Sequence, residues 1–357
     1  MPSTHGKIDR VVVRGTNWVG DAVMIVPALR ALGRLLPNAH VTLATRPFAK
    51  GIFEDADFLD DILICEGSPF AQARRWRRRR FDLAVLFQNA FEPALIARLA
   101  RVPLRVGYAT QGRGWLLTNP LPLPQWRDSR HESFYYLNVI AEIDRLLNGA
   151  ANTLELQPVF DLGVSEERKT QAGAILRASG VQSDRPLLAL CPGSINSRAK
   201  RWPAERYAAL ADRFIEELGA EVLLIGSPEE LEVSTDVSRR MEHAPIVLTG
   251  KTDLAEAVAV LSLVDLLVTN DTGPAHIASA LNRPTLVIFG PTNPLTTRPF
   301  SSSAEIVRHP PDCAPCMLRE CPIDHRCMTA ISPDEVFERA VALLERKELV
   351  RQTAVCR

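Results

Sequence analysis

The 357-residue chain has no excess of charge: 42 Lys and Arg balance 42 Asp and Glu. A general nucleic-acid binder gathers phosphates through a long-range positive field, which zero net charge removes, although a local basic patch stays open. Nucleic acid is therefore not an expected partner. Long apolar runs are missing as well. The first, Val11-Val12-Val13, is too short for the apolar part of a secretory signal. No stretch approaches the roughly 18 apolar residues of a membrane span. The expected location is the cytoplasm, where thiols stay reduced. Lysine is scarce, with six against 36 arginines, and there are no internal repeats. What remains is ordinary: 46% hydrophobic and 24% charged residues, a globular composition at a length that suits about two domains.

Short β-branched or Leu-rich runs alternate with amphipathic stretches. In the first half, strands are expected at 10–14, 40–44, 61–65, 83–87 and 105–108, with helices at 21–36, 69–80, 93–101 and 131–147. In the second, strands at 187–191, 221–225, 246–248, 266–269 and 285–289 alternate with helices at 204–218, 229–242, 253–263 and 274–281. This rhythm predicts parallel sheets covered on both faces, and hence an α/β protein of two Rossmann-like domains facing across a cleft. Residues 117–124 and 149–162 look irregular. The linker is expected near 160–180, where Gly163, Gly173 and Gly180 punctuate the chain and Ser165 suits a helix cap, dividing 1–165 from 166–357.

Three loops at strand ends carry chemistry. The first, Arg14-Gly15-Thr16-Asn17-Trp18-Val19-Gly20-Asp21, has glycines for a tight turn but lacks the G-x-G-x-x-G dinucleotide fingerprint. Asp21 there is either a helix cap or a carboxylate poised at the cleft. The second, 191–203 (CPGSINSRAKRWP), offers backbone N–H groups, hydroxyls and Lys200, a compact charge suited to a phosphate. The alternative is a solvated loop with two surface cations. The third, Thr269-Asn270-Asp271-Thr272-Gly273-Pro274-Ala275-His276, has Asp271 as a good N-cap, Pro274 in the first turn, and amides plus a helix dipole for an anion. His276 is either a phosphate ligand or a structural hydrogen-bonder. Phe289-Gly290-Pro291-Thr292-Asn293-Pro294 forms a further loop at the same sheet edge.

Taken together, Asn17–Met24 (NWVGDAVM), the 192–203 loop, 270–281 (NDTGPAHIASAL) and 289–294 (FGPTNP) resemble the ADP-heptose:lipopolysaccharide heptosyltransferases, glycosyltransferase family 9. The Trp18-Val19-Gly20-Asp21 form and the clustered C-terminal cysteines look most like the family's type II branch. The likeness spans nearly the whole chain, and four motifs in this order are specific where each alone is weak. The resemblance implies a GT-B fold with the acceptor on the N-terminal domain and the nucleotide-sugar on the C-terminal one. It also implies inverting, metal-independent transfer of heptose from ADP-heptose to a heptose of the lipid-linked lipopolysaccharide inner core, with no cofactor required for catalysis. Asp21 then matches the catalytic base and Lys200 the donor-phosphate lysine. Asp271, Thr272, Gly273 and His276 match the nucleotide-sugar loop, with Ser194 and Glu229 as further donor contacts. Asn17, Trp18, Gly20 and Arg113 are expected to meet the acceptor, in a region that also holds Arg127, Arg130 and His131.

Two features stand apart. Arg74 to Arg80 holds six cations in seven residues, either a solvated helix end or a contact with anionic inner-membrane headgroups or acceptor phosphates. Cys313, Cys316, Cys321 and Cys327 supply enough thiols for a structural zinc or iron–sulfur site, with reduced thiols or disulfides as competing readings. Cys65, Cys191 and Cys356 are scattered. The rival functions are another GT-B transferase, a nucleotide-sugar epimerase, and a non-catalytic nucleotide-sugar binder.

Overall fold

A computed structural model describes residues 7–149, 157–182 and 184–355, with side chains described as far as residue 346. Cys356, and residues 150–156 of the stretch expected to be irregular, lie outside the described residues. The chain divides into two compact units, Met1–Phe160 and Asp161–Arg357.

The first unit has strands β1 (Arg10–Arg14), β2 (His40–Thr45), β3 (Asp61–Ile64), β4 (Leu83–Leu86), β5 (Leu104–Tyr108) and β6 (Asn119–Leu121). Its helices are α1 (Val19–Met24), α2 (Val26–Leu35), α3 (Pro69–Arg79), α4 (Phe91–Leu99) and α5 (Glu132–Asn148). The strands form one parallel sheet in the order β3-β2-β1-β4-β5-β6. Val11, Val12 and Val13 are fully buried, as a strand covered on both faces requires.

The second unit repeats the plan. Its strands are β7 (Leu187–Cys191), β8 (Glu221–Leu224), β9 (Ile246–Val247), β10 (Leu266–Asn270), β11 (Thr285–Ile288) and β12 (Ala304–Val307). They are ordered β12-β11-β10-β7-β8-β9. The helices are α6 (Glu166–Ala178), α7 (Ala204–Leu218), α8 (Leu231–Arg240), α9 (Leu254–Leu261), α10 (Gly273–Ala280), α11 (Pro294–Thr297), α12 (Arg326–Thr329) and α13 (Pro333–Val355). In both units the strand order reverses beside the first strand, between β1 and β4 and between β7 and β10. Ligands of open α/β sheets bind in the crevice outside the carboxyl ends of the strands at such a point.

Several local expectations change. The single helix expected at 21–36 is two, because Pro27 has no N–H to give the preceding turn and Ile25 joins them. The irregular stretch 117–124 contains β6, which pairs Pro120 with Gly107. As an edge strand it tolerates a proline that a central one would not. The stretch expected as linker holds α6, whose N-cap Ser165 accepts from Arg168 N.

Candidate active site

The loops at the second switch point converge through their side chains. Lys200 ends the short turn Arg198–Lys200, and its Nζ donates to Asp271 Oδ2 at 2.9 Å and to Asp271 O at 3.0 Å. Thr292 Oγ1 donates to the same carboxylate oxygen at 2.7 Å. Asp271 is nearly buried, while Lys200 keeps a quarter of its side chain exposed. The N-cap of α10 is therefore Thr272 and not Asp271, whose carboxylate is engaged by Lys200 and Thr292. Gly273 opens α10, Pro274 occupies its first turn, and His276 is buried just inside. The first turn of α10 carries the positive end of the helix dipole beside the Lys200 side chain. Lys200 and Asp271 carry no net charge together, so what this arrangement offers a diphosphate is the exposed quarter of the lysine beside the helix end.

Asn270, at the carboxyl end of β10, holds the loops in register. Its Oδ1 accepts from Trp202 N (3.0 Å) and Tyr207 OH (3.1 Å), and its Nδ2 donates to Pro192 O (2.8 Å) and Gly193 O (3.1 Å). All the hydrogen-bonding capacity of this buried amide is used. Replacing Asn270 with alanine is expected to cost about 3 kcal/mol of unfolding free energy, read by denaturant titration, because several buried partners lose their bonds together. Nothing in the local sequence distinguishes this asparagine from a turn residue, since its partners lie more than 60 positions away.

Of the other expected donor residues, Ser194 is buried in the 192–203 loop, with its carbonyl accepting from Arg201 Nη2 at 2.9 Å. Glu229 is exposed. The next residue, Glu230, is the buried one: it accepts from Ser227 N at 2.9 Å and packs against Gly193, where any Cβ would overlap its carboxylate. The turn bearing Lys200 is braced by the cysteine-rich segment. Ala199 N donates to Arg319 O at 3.0 Å, Ser197 Oγ to Leu318 O at 3.3 Å, and His325 Nε2 meets Ala199 O at 2.6 Å.

That segment does not form the expected metal centre. Cys313, Cys316, Cys321 and Cys327 are free thiols that line one small pocket with His325. Their exposure runs from the exposed Cys313 to the buried Cys327. Burial first, and then the neighbouring thiols, pushes Cys327 up to about 11. Among the described residues no group of three or more His, Cys, Asp or Glu is arranged to hold a metal ion. The structural zinc or iron–sulfur cluster is thus without support.

At the first switch point, Asp21 lies in the first turn of α1, half-buried, while the N-cap is Trp18, whose side chain makes no capping bond. Behind it, the buried Arg14 bonds Gly15 O and donates from Nη2 to Asn17 Oδ1 at 3.1 Å, fixing the turn from within. Trp18 is exposed and Gly20 half-buried, both next to Asp21. Arg113, expected to touch the acceptor, is fully buried and bonds neighbouring loops, so its guanidinium has no surface to offer a ligand. His131 caps α5, accepting from Ser133 N. Arg127 lies over the Tyr135 ring at 4.7 Å and Arg130 over Phe134 at 4.1 Å.

The arginine run ends at the opposite edge of the same sheet. Arg79 pairs with Asp61 at the start of β3 and accepts at its carbonyl from Arg10 Nη1 at the start of β1 (3.0 Å). Arg74, Arg77, Arg78 and Arg80 are exposed. Among the described residues no helix is long and apolar enough to cross a membrane.

Two doubly wound units, each a six-stranded parallel sheet with its own switch point, are the two-Rossmann architecture of the GT-B kind. The model of glycosyltransferase family 9 (heptosyltransferase) matches residues 70–326, and the chain belongs to that family. It is 31% identical over 317 residues to lipopolysaccharide heptosyltransferase 2 of Salmonella typhimurium, covering 84% of this chain and 88% of that one. The solved ADP-heptose LPS heptosyltransferase II of E. coli superposes with a TM-score of 0.82 at 27% identity, covering 95% and 99% of the two chains. E. coli heptosyltransferase WaaC, solved with ADP, shares the fold at a TM-score of 0.69 and 17% identity, over 94% and 99%.

Proposed function

We propose that the protein transfers L-glycero-D-manno-heptose from ADP-heptose to a heptose of the lipopolysaccharide inner core, inverting the anomeric centre and without a metal ion. The observation that carries this reading is the Lys200–Asp271–Thr292 cluster at the N-terminus of α10. Departure of ADP leaves charge on the β-phosphate. A lysine cation and preoriented helix amides stabilise that charge where other transferases use a divalent ion. Ser194, Thr272, Gly273 and His276 complete the donor loops. Single displacement also needs a base for the acceptor hydroxyl, and Asp21, at the switch point of the N-terminal unit, takes that role. Asn17, Trp18 and Gly20 present that turn to the acceptor. The lipid-linked acceptor places the enzyme at the cytoplasmic face of the inner membrane, in peripheral contact with it.

Incubation with ADP-heptose and a heptosylated inner-core acceptor should give a mass gain of one heptose and stoichiometric ADP, with no requirement for added divalent cation. Donor hydrolysis or isomerisation that ignores the acceptor would refute the reading.

A further inference from the structure

The loops that follow β4 and β5 are tied together by one buried cation. Arg113, with no exposed surface, donates from Nε to Tyr108 O at 2.8 Å, from Nη1 to Gln88 O and to Ala90 O (3.0 Å), and from Nη2 to Asn89 Oδ1 at 3.2 Å. All of these acceptors are neutral. Desolvation draws the guanidinium down to about 10, so no carboxylate offsets its burial. Gly107 of β5 makes the space: a Cβ there would stand 3.3 Å from Nη2 and 3.0 Å from Leu86 O.

On the outer side of this clamp stand two aromatics. Phe91, the first residue of α4, and Trp115, in the turn Gly114–Leu116, have ring centroids 6.3 Å apart and planes tilted by 52°. Trp115 is 72% exposed and Phe91 39%. The first follows Ala90, whose carbonyl Arg113 holds, and the second lies two residues beyond Arg113 itself. A buried, uncompensated cation that fixes two exposed rings is not an arrangement that stability alone calls for.

The position of the pair indicates its ligand. β1, β4 and β5 are adjacent in the sheet, so the turn with Asp21 and the loops with Phe91 and Trp115 leave the same edge. At about 4.8 Å per strand, the end of β5 lies roughly 10 Å from that of β1. Glu92, next to Phe91, acts electrostatically on Arg14, the residue that holds Asn17. We infer that Phe91 and Trp115 form a stacking platform for a pyranose ring of the acceptor oligosaccharide, one sugar away from the hydroxyl that Asp21 serves. The C–H face of a pyranose is apolar and weakly positive, and it complements the negative face of an indole while the sugar's hydroxyls stay in water. A bilayer is the less suitable occupant, because the exposed cations Arg77, Arg78 and Arg80 gather toward the far edge of the sheet.

The inference rests on the proposed heptosyl transfer for the identity of the acceptor, and its test separates the two. The probe is a deacylated, heptosylated inner-core oligosaccharide, titrated calorimetrically without donor and then used as acceptor. Trp115→Ala should weaken its binding and raise its KM roughly tenfold, the lower range of aromatic stacking, while kcat and the KM for ADP-heptose stay within about twofold. Trp115→Tyr should recover most of the loss. Equal oligosaccharide affinity in Trp115→Ala, or no binding by the unsubstituted protein, overturns the platform. So does a loss confined to phosphatidylglycerol vesicles, which would make the pair a membrane contact. If the unsubstituted protein binds the oligosaccharide yet transfers no heptose, the proposed function falls, and the calorimetric comparison still decides the platform.

Discussion

Replacing Asp21 with alanine is expected to lower kcat about a thousandfold while ADP-heptose affinity stays within twofold. The magnitude is that of losing a positioned general base, which contributes roughly 10²–10⁴ in rate. The split between the constants follows from placement. Asp21 sits in the N-terminal unit at the switch point between β1 and β4, and the donor loops belong to the other unit. Folding should be little affected, since Asp21 is not the N-cap of α1 and is only half-buried. Steady-state kinetics with both substrates varied, together with calorimetry of ADP-heptose, checks the prediction. Near-normal turnover in the variant would remove Asp21 from the chemistry.

Lys200→Ala is expected to behave differently, with damage to stability as well as to rate. Removing the cation withdraws charge stabilisation from the departing diphosphate, an effect of about 10²–10³ in kcat/KM for the donor. It also strands the Asp271 carboxylate, nearly buried and left with Thr292 as its remaining side-chain donor. Breaking one side of such a pair costs roughly 3–5 kcal/mol, and the lower figure suits a lysine that keeps a quarter of its side chain in solvent. The two effects separate in the double variant Lys200→Ala/Asp271→Asn, which removes the stranded charge. Its thermal midpoint should return most of the way toward that of the unsubstituted protein while the kinetic defect persists. Kinetics that recover along with stability would mean that Lys200 serves folding only.

The sequence shows the strands clearly because burial on both faces makes them near-continuous apolar runs. It shows the switch-point loops because glycine, proline and small polar residues interrupt those runs in order. What it conceals is the pairing across distance. Lys200 and Asp271 are 71 positions apart, so Asp271 reads as a helix cap until the fold brings the lysine to it. Arg113 reads as an acceptor contact, and the space left by Gly107 that admits it to the interior is not visible in the sequence. β6 reads as a loop because proline is excluded from central strands and edges are not visible in advance. Four clustered cysteines suggest a metal because spacing shows how many thiols there are but not whether they converge. Phe91 and Trp115 belong to no motif, and their exposure is a property of the fold.

The central strands β1 and β4 of the first unit are five and four residues long, about 13–17 Å at roughly 3.3 Å per residue. The exposed cations toward the end of α3 and the turn that holds Asp21 therefore stand at opposite edges of one scaffold. At that separation their substitutions should combine additively, as those of independent sites do. Surface charge on one edge is thus free to drift over evolutionary time, or to be recoded by design, without retuning the carboxylate on the other.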